Sequence, residues 1–210
     1  MREPCTTPPD LSAVILAGGE SSRLGRDKAL LRIGGRTLIE RTVAELAKVC
    51  PEVLISANKP DSFRDLDVAG IIPDAVPGLG PIGGIHAGLR AMSNEYGFFV
   101  ACDMPLLDAA VIRKQIERLR AAPCDAVAPR WEGRIEPLHA IYGKVCLPAV
   151  ERCIARGERK IIAFYDEVRI AYWDLRPAEK WRRYFQNINS DEDLRNFRDL
   201  TGRYPTNKFF

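Results

Sequence analysis

Three charged residues and a pair of adjacent glycines carry the chemistry this sequence offers. Arg23 and Lys28 follow the stretch Leu16-Ala17-Gly18-Gly19, and Asp103 stands in Cys102-Asp103-Met104-Pro105. Glycine lacks a Cβ, so its backbone takes unusual φ/ψ values and approaches a ligand closely. Successive N–H groups in such a turn form a concave nest for an anion. Arg23 and Lys28 add two cations, and the set reads as a site for a nucleoside triphosphate. An ordinary strand-to-helix turn with a solvated basic face fits the glycines alone equally well. Neither common phosphate motif is present. The P-loop ends in Gly-Lys-Ser/Thr, whereas Gly25 is followed by Arg26-Asp27-Lys28; the dinucleotide fingerprint needs spaced glycines, whereas Gly18 and Gly19 are adjacent.

These residues need strands and helices to hold them. Ala13 to Leu16 is a short apolar run suited to a buried parallel strand. Val53 to Ala57 is a second, with Asn58 just past its end, where it could serve as a plain turn residue. Gly70 to Ile72 is a third, ending in Pro73-Asp74. The segment Ala75 to Gly84 holds four Gly and two Pro and reads as a functional loop. Tyr96 to Ala101 is apolar and central. A carboxylate just past such a strand lies in the crevice where open α/β sheets bind ligands, although Asp103 could also be a cap.

Thr37-Leu38-Ile39-Glu40 reads as a capping box opening a helix, with Ile39, Val43, Leu46 and Cys50 as its apolar stripe and Pro51 as its stop. Ile85, Leu89 and Met92 form a second stripe, and Asp108 caps a third helix to Arg120. Ala126 to Pro129 is a strand, Trp131 to Arg134 a hairpin turn, and Glu136 to Tyr142 the return, with His139 expected on its surface. Cys146 to Arg156 and Lys160 to Tyr165 read as helical, and Val168 to Asp174 as an edge strand. Asn187 and Asn189 alternate with Ile188, so both amides should face one side. Ser190 with Asp193 caps a final helix. The alternation predicts a single α/β domain over residues 11–200, with a mainly parallel sheet and helices on both faces. Residues 1–10 are expected to be a disordered tail, and 201–210 a C-terminal tail.

A length of 210 residues suits one such domain with a full core. The net charge of +3 is too small to argue for nucleic acid. Six cysteines without a C-x-x-C spacing read as reduced thiols of a cytosolic protein. The first residues contain no apolar h-region, and no run approaches the ~20 apolar residues of a membrane span.

The stretch Leu16-Ala17-Gly18-Gly19-Glu20-Ser21-Ser22-Arg23-Leu24-Gly25-Arg26-Asp27-Lys28 resembles the signature loop of nucleotidyltransferases of the nucleoside-diphospho-sugar transferase fold. Within that group the chain looks most like the molybdenum cofactor guanylyltransferases. Four further segments share the likeness: Ala57-Asn58; Asp74 with Gly80-Pro81-Ile82-Gly83-Gly84-Ile85; Cys102-Asp103-Met104-Pro105; and Phe185-Gln186-Asn187-Ile188-Asn189-Ser190-Asp191-Glu192-Asp193-Leu194. Pro137-Leu138-His139-Ala140-Ile141-Tyr142 resembles the family strand that flanks the acceptor side. The resemblance implies GTP at Leu16, Ala17, Gly18, Gly19, Arg23, Lys28, Asn58, Asp74 and Asp103, with Mg²⁺ on Asp103. It implies catalytic roles for Arg23, Lys28 and Asp103. Pro81, Gly83, His139, Asn187 and Asn189 would lie on the pterin side.

The reaction so implied transfers GMP from GTP to molybdopterin carrying molybdenum and releases pyrophosphate. Other cofactor-biosynthesis proteins and apo-molybdoenzymes would be partners, in the cytoplasm. Cytidylyltransferases of the same fold are the nearest alternative, and they show L-A-A-G or A-A-G-x-G where this chain has Leu16-Ala17-Gly18-Gly19. A non-catalytic pterin carrier is an alternative of another class, but it would need no metal-binding carboxylate.

Overall fold

The structure is a computed structural model that describes residues 10–18, 28–33, 35–73, 78–177, 180–181, 183–190 and 192–197. The tails expected at 1–10 and 201–210 lie outside these residues, apart from Asp10.

The strands are β1 (Leu11–Leu16), β2 (Arg32–Ile33), β3 (Arg36–Thr37), β4 (Glu52–Ser56), β5 (Gly70–Ile72), β6 (Tyr96–Ala101), β7 (Ala126–Trp131), β8 (Arg134–Ile135), β9 (His139–Gly143) and β10 (Ile170–Asp174). The α-helices are α1 (Leu38–Leu46), α2 (Pro81–Ala91), α3 (Ala109–Ala121) and α4 (Leu147–Ala155). The main sheet runs β10-β7-β9-β6-β1-β4-β5, with β8 paired to β7. β1 is parallel to both β4 and β6, and β10 is parallel to β7. β9 is antiparallel to both its neighbours, β6 and β7. The sheet is therefore mainly parallel, and β10 lies at its edge, as its mixed polarity predicts.

Successive strand side chains point to opposite faces, and the core divides accordingly. From β1, Leu11, Ala13 and Ile15 join Phe98 and Val100 of β6 in a cluster with Leu46 and Ile112 from α1 and α3. Val14 and Phe99 point the other way, to Ile85 and Leu89 of α2 and Val150 of α4. β6, and β1 apart from Ser12, are apolar because both faces are covered.

Local signals act as read. Thr37 Oγ1 accepts from Glu40 N and Glu40 Oε2 accepts from Thr37 N, so the capping box opens α1. Asp108 Oδ1 accepts from Ala110 N at 2.7 Å and caps α3. Ser190 Oγ accepts from Asp193 N at 3.1 Å, ahead of a last helix at 192–197.

Two elements differ from expectation. Pro81 to Gly84 is not loop but the first turn of α2. Proline is tolerated there because its missing N–H has no helical partner in that position. The glycines that suggested a loop instead let the helix lie close to the sheet: a Cβ on Gly84 would stand 2.6 Å from Leu16 Cδ2, and one on Gly88 2.6 Å from Phe99 Cε1. The second difference is a two-stranded hairpin of β2 and β3 between Lys28 and α1. It floors a small separate cluster in which Leu31, Ile33 and Leu38 pack on Ile188, Leu194 and Phe197. This cluster draws the C-terminal segment back to the residues that follow the glycine loop.

Candidate functional site

The site is built at the carboxyl ends of β1, β4 and β6. β1 sits between β4 and β6 while the chain proceeds from β4 outward to β5, so the order reverses between β1 and β6. In open α/β sheets the ligand crevice opens at such a reversal. Cys102 N donates to Leu16 O at 3.2 Å, which ties the start of the glycine loop to the turn carrying Asp103.

Lys28 lies in a 3-10 turn, Lys28–Leu30, anchored by buried Ala29. Its Nζ donates to Asp103 Oδ2 at 3.1 Å and to Asn189 Oδ1 at 2.8 Å. Three segments far apart in sequence thus meet at one ammonium. The ion pair is shielded, with side-chain exposures of 18% for Lys28 and 16% for Asp103. Asp103 Oδ1 is buried and accepts no hydrogen bond from the described residues. The backbone oxygen of Asp103 accepts from Ile188 N at 2.9 Å, which docks the 187–189 segment alongside.

Asn58 stands beside the glycine loop and donates from Nδ2 to Gly18 O at 2.5 Å. Leu16 and Ala17 are less available than the sequence suggested. Ala17 N already donates to Ser56 O at 2.8 Å and Leu16 O accepts from Cys102, so an amide nest in this loop starts no earlier than Gly18. Gly19, Arg23 and Asp74 lie outside the described residues. Pro81 is exposed and Gly83 buried in the first turn of α2, which Gly84 seats against Leu16 and Ser56 at the ends of β1 and β4.

The two asparagines do not share an environment. Asn189 is exposed and engaged by Lys28, whereas Asn187 Oδ1 is buried without a partner among the described residues. His139 corrects the expectation of a surface residue facing the acceptor. It is fully buried, edge-on to Phe98 at 4.9 Å and to Phe185 at 4.7 Å. Burial pushes its imidazole down to about 4 from the ordinary 6.5. It belongs to the packing that links β9 to the C-terminal segment, where Trp131 also stacks on Phe185.

Cys50 and Cys146 are not suited to act as nucleophiles. Burial pushes the Cys50 and Cys146 thiols up to about 12, far from the thiolate a nucleophile requires. The sequence did not single out Glu136. Its carboxyl is pushed up to about 7, chiefly by burial and further by the Asp103 charge, against one backbone hydrogen bond from Leu138 N that favours ionisation. Among the described residues no helix is long and apolar enough to cross a membrane.

The strand-end carboxylate of Asp103 meets Lys28 at the crevice, and Asn58 holds the Gly18 carbonyl beside it. The sequence matches the family model of the MobA-like NTP transferase domain over residues 13–169. It is 36% identical over 196 residues to the molybdenum cofactor guanylyltransferase of Vibrio cholerae, covering 92% of this chain and 94% of that protein. It is 37% identical over 188 residues to that of Desulfosudis oleivorans, covering 88% and 92%. In structure it is similar to the molybdopterin-guanine dinucleotide biosynthesis protein A of Archaeoglobus fulgidus, with TM-score 0.78 and 27% identity over 92% of this chain and 100% of that one. The chain belongs to the MobA-like NTP transferase family and is a nucleotidyltransferase of the α/β fold described above.

Proposed function

We propose that this chain transfers GMP from GTP to molybdopterin carrying molybdenum, forming the guanine dinucleotide cofactor and pyrophosphate. The observation that carries the reading is the meeting of Asp103 and Asn189 at Lys28 Nζ in the crevice, at 3.1 Å and 2.8 Å. Relatives named for this activity over most of their length support the choice of substrates.

In the reaction a phosphate oxygen of the pterin bonds to the α-phosphorus of GTP. The bond from that phosphorus to the β-phosphate oxygen breaks, and pyrophosphate leaves with the electron pair. Such chemistry needs positioning and charge stabilisation more than a protein nucleophile. Lys28 gives its ammonium to the β- and γ-phosphates, where charge builds as the leaving group departs. Arg23 is assigned the same duty. Asn58 fixes the carbonyl of Gly18 at the start of the glycine loop. Pro81, Gly83 and Asn187 are assigned to the pterin side, and Asn189 holds Lys28 between the two substrates.

The donor set suits a divalent cation: Asp103 Oδ1 is a buried carboxylate oxygen without a partner among the described residues. Magnesium commonly needs only one or two carboxylates, its other places being filled by phosphates and water. Bound there, Mg²⁺ supplies positive charge to the phosphate oxygens. Apo-molybdoenzymes and other cofactor-biosynthesis proteins are the partners this reaction calls for, in the cytoplasm.

Calorimetry with Mg²⁺ and each of GTP, CTP, ATP and UTP tests the nucleotide, and pyrophosphate release with the pterin tests the transfer. Tightest binding of GTP and release only when both substrates are present are expected. Preference for CTP would place the chain with the cytidylyltransferases, and binding without release would make it a carrier.

A further inference from the structure

The last strand and the segment after it carry a second concentration of charge. β9 is antiparallel to both β6 and β7, and β10 is parallel to β7. β7 and β10 therefore run in the direction of β6 and end at the crevice edge of the sheet. From the end of β10 onward three aromatic rings form a chain. Trp173 meets Trp181 edge-on at 5.1 Å, and Trp181 meets Tyr184 at 6.3 Å. A cation stands over each ring: Arg118 over Trp173 at 5.5 Å, Lys180 over Trp181 at 5.1 Å and Arg183 over Tyr184 at 4.7 Å. The negative ring faces hold these cations where they stand.

Arg118, Arg176 and Lys180 are exposed, and none of the three has an ion pair among the described residues. Asp174, the carboxylate that ends β10, is already taken by Arg130, whose Nε and Nη2 donate to it at 2.7 Å and 3.1 Å. That contact holds the Asp174 carboxyl below its ordinary range, and the charges of Arg176 and Arg118 lower it further. The whole chain carries only +3, so this face concentrates positive charge.

Trp, Tyr and Arg together make the composition of a protein interface. Single-stranded nucleic acid is the other polyanion that aromatic and basic residues bind, but its bases need open ring faces. Here Trp173 is buried, and cations cover a face of Trp181 and of Tyr184. The surface presents charge rather than rings.

We propose that this face docks an acidic segment of a partner protein. The docking does not depend on which nucleotide or acceptor the crevice takes. A partner held there sits on the sheet edge from which product leaves.

The test uses a fluorescein-labelled oligoglutamate peptide, titrated onto the intact chain by fluorescence anisotropy with and without GTP. Binding is expected in both cases, and it should weaken as salt is raised. Arg118→Gln, Arg176→Gln and Lys180→Gln combined should weaken the peptide about tenfold, the sum of three exposed charge contacts. GTP affinity should stay at the parent value, because none of the three residues belongs to the crevice. Arg176→Gln with Lys180→Gln, which leaves Arg118 over Trp173, should show part of the same loss with an unchanged melting temperature. Unchanged peptide affinity in both variants would overturn the proposal, as would a parent chain that does not bind the peptide. Displacement of the peptide by GTP would overturn it by placing the peptide in the crevice. Tighter binding of oligothymidylate or of phosphatidylserine vesicles than of the peptide would overturn it in favour of another class of polyanion.

Discussion

In the proposed reaction Asp103 carries the charge on the metal side and Lys28 the charge on the leaving group. Asp103→Asn keeps the side-chain shape, and its amide oxygen can still accept from Lys28. What goes is the charge proposed to hold the cation. Because the cation acts on charge that develops during transfer, turnover should fall by on the order of a hundredfold, the scale of removing one electrostatic stabiliser. Metal-free GTP binding should hold or tighten. Transfer rates measured against Mg²⁺ concentration check this, and an unaltered Mg²⁺ profile would contradict the assignment. Lys28→Ala should weaken GTP more than GMP, since the ammonium meets phosphates that GMP lacks. Titration calorimetry with both nucleotides decides it; an equal loss for the two would place Lys28 off the β- and γ-phosphates. Cys102, one residue from Asp103, is expected to be dispensable for both readouts.

At the scale of elements, α2 is the piece whose fit to the sheet sets the crevice. Its first turn lies over the ends of β1 and β4, and its body is drawn down by glycines. Gly88→Ala would drive a Cβ to 2.6 Å from Phe99 Cε1 and 2.8 Å from Val14 Cγ1, both buried in the core. Overpacking of this kind costs about 1–3 kcal/mol. A shifted denaturant midpoint with an unchanged slope checks it; a midpoint at the parent value would mean that the helix can lift freely. The same segment shows what the sequence could and could not tell. Thr37 with Glu40, Asp108 and Ser190 with Asp193 were legible because a cap is a contact between neighbours in the chain. Pro81 to Gly84 read as loop because a glycine needed for close packing looks the same as one needed for a turn. The β2–β3 hairpin escaped because strands of two residues carry no period.

The whole molecule brings together what no local pattern reveals. The strand-end position of Asp103 was legible in the apolar run before it. The meeting of Lys28 with Asn189 depends on the hairpin cluster that docks Ile188, 2% exposed. His139 escaped for the same reason: polar in type, it looked like a surface residue until Phe98 and Phe185 closed around it. That closure has a global consequence. With its imidazole at about 4 in the fold against an ordinary 6.5, the unfolded chain takes up a proton that the folded chain refuses. Stability therefore declines as pH falls from about 6.5 and the loss is complete below about 4. At 1.4 kcal/mol per pH unit, this difference amounts to on the order of 3 kcal/mol. His139→Phe retains an aromatic ring between Phe98 and Phe185 and removes the titrating group along with two nitrogens that lack partners among the described residues. Denaturant midpoints from pH 4 to 7.5 should show the variant gaining on the parent steadily as pH drops, with the gap smallest above pH 7. Parallel curves for the two proteins would show that His139 keeps its ordinary affinity for the proton, and that the contact between β9 and the C-terminal segment is open to water.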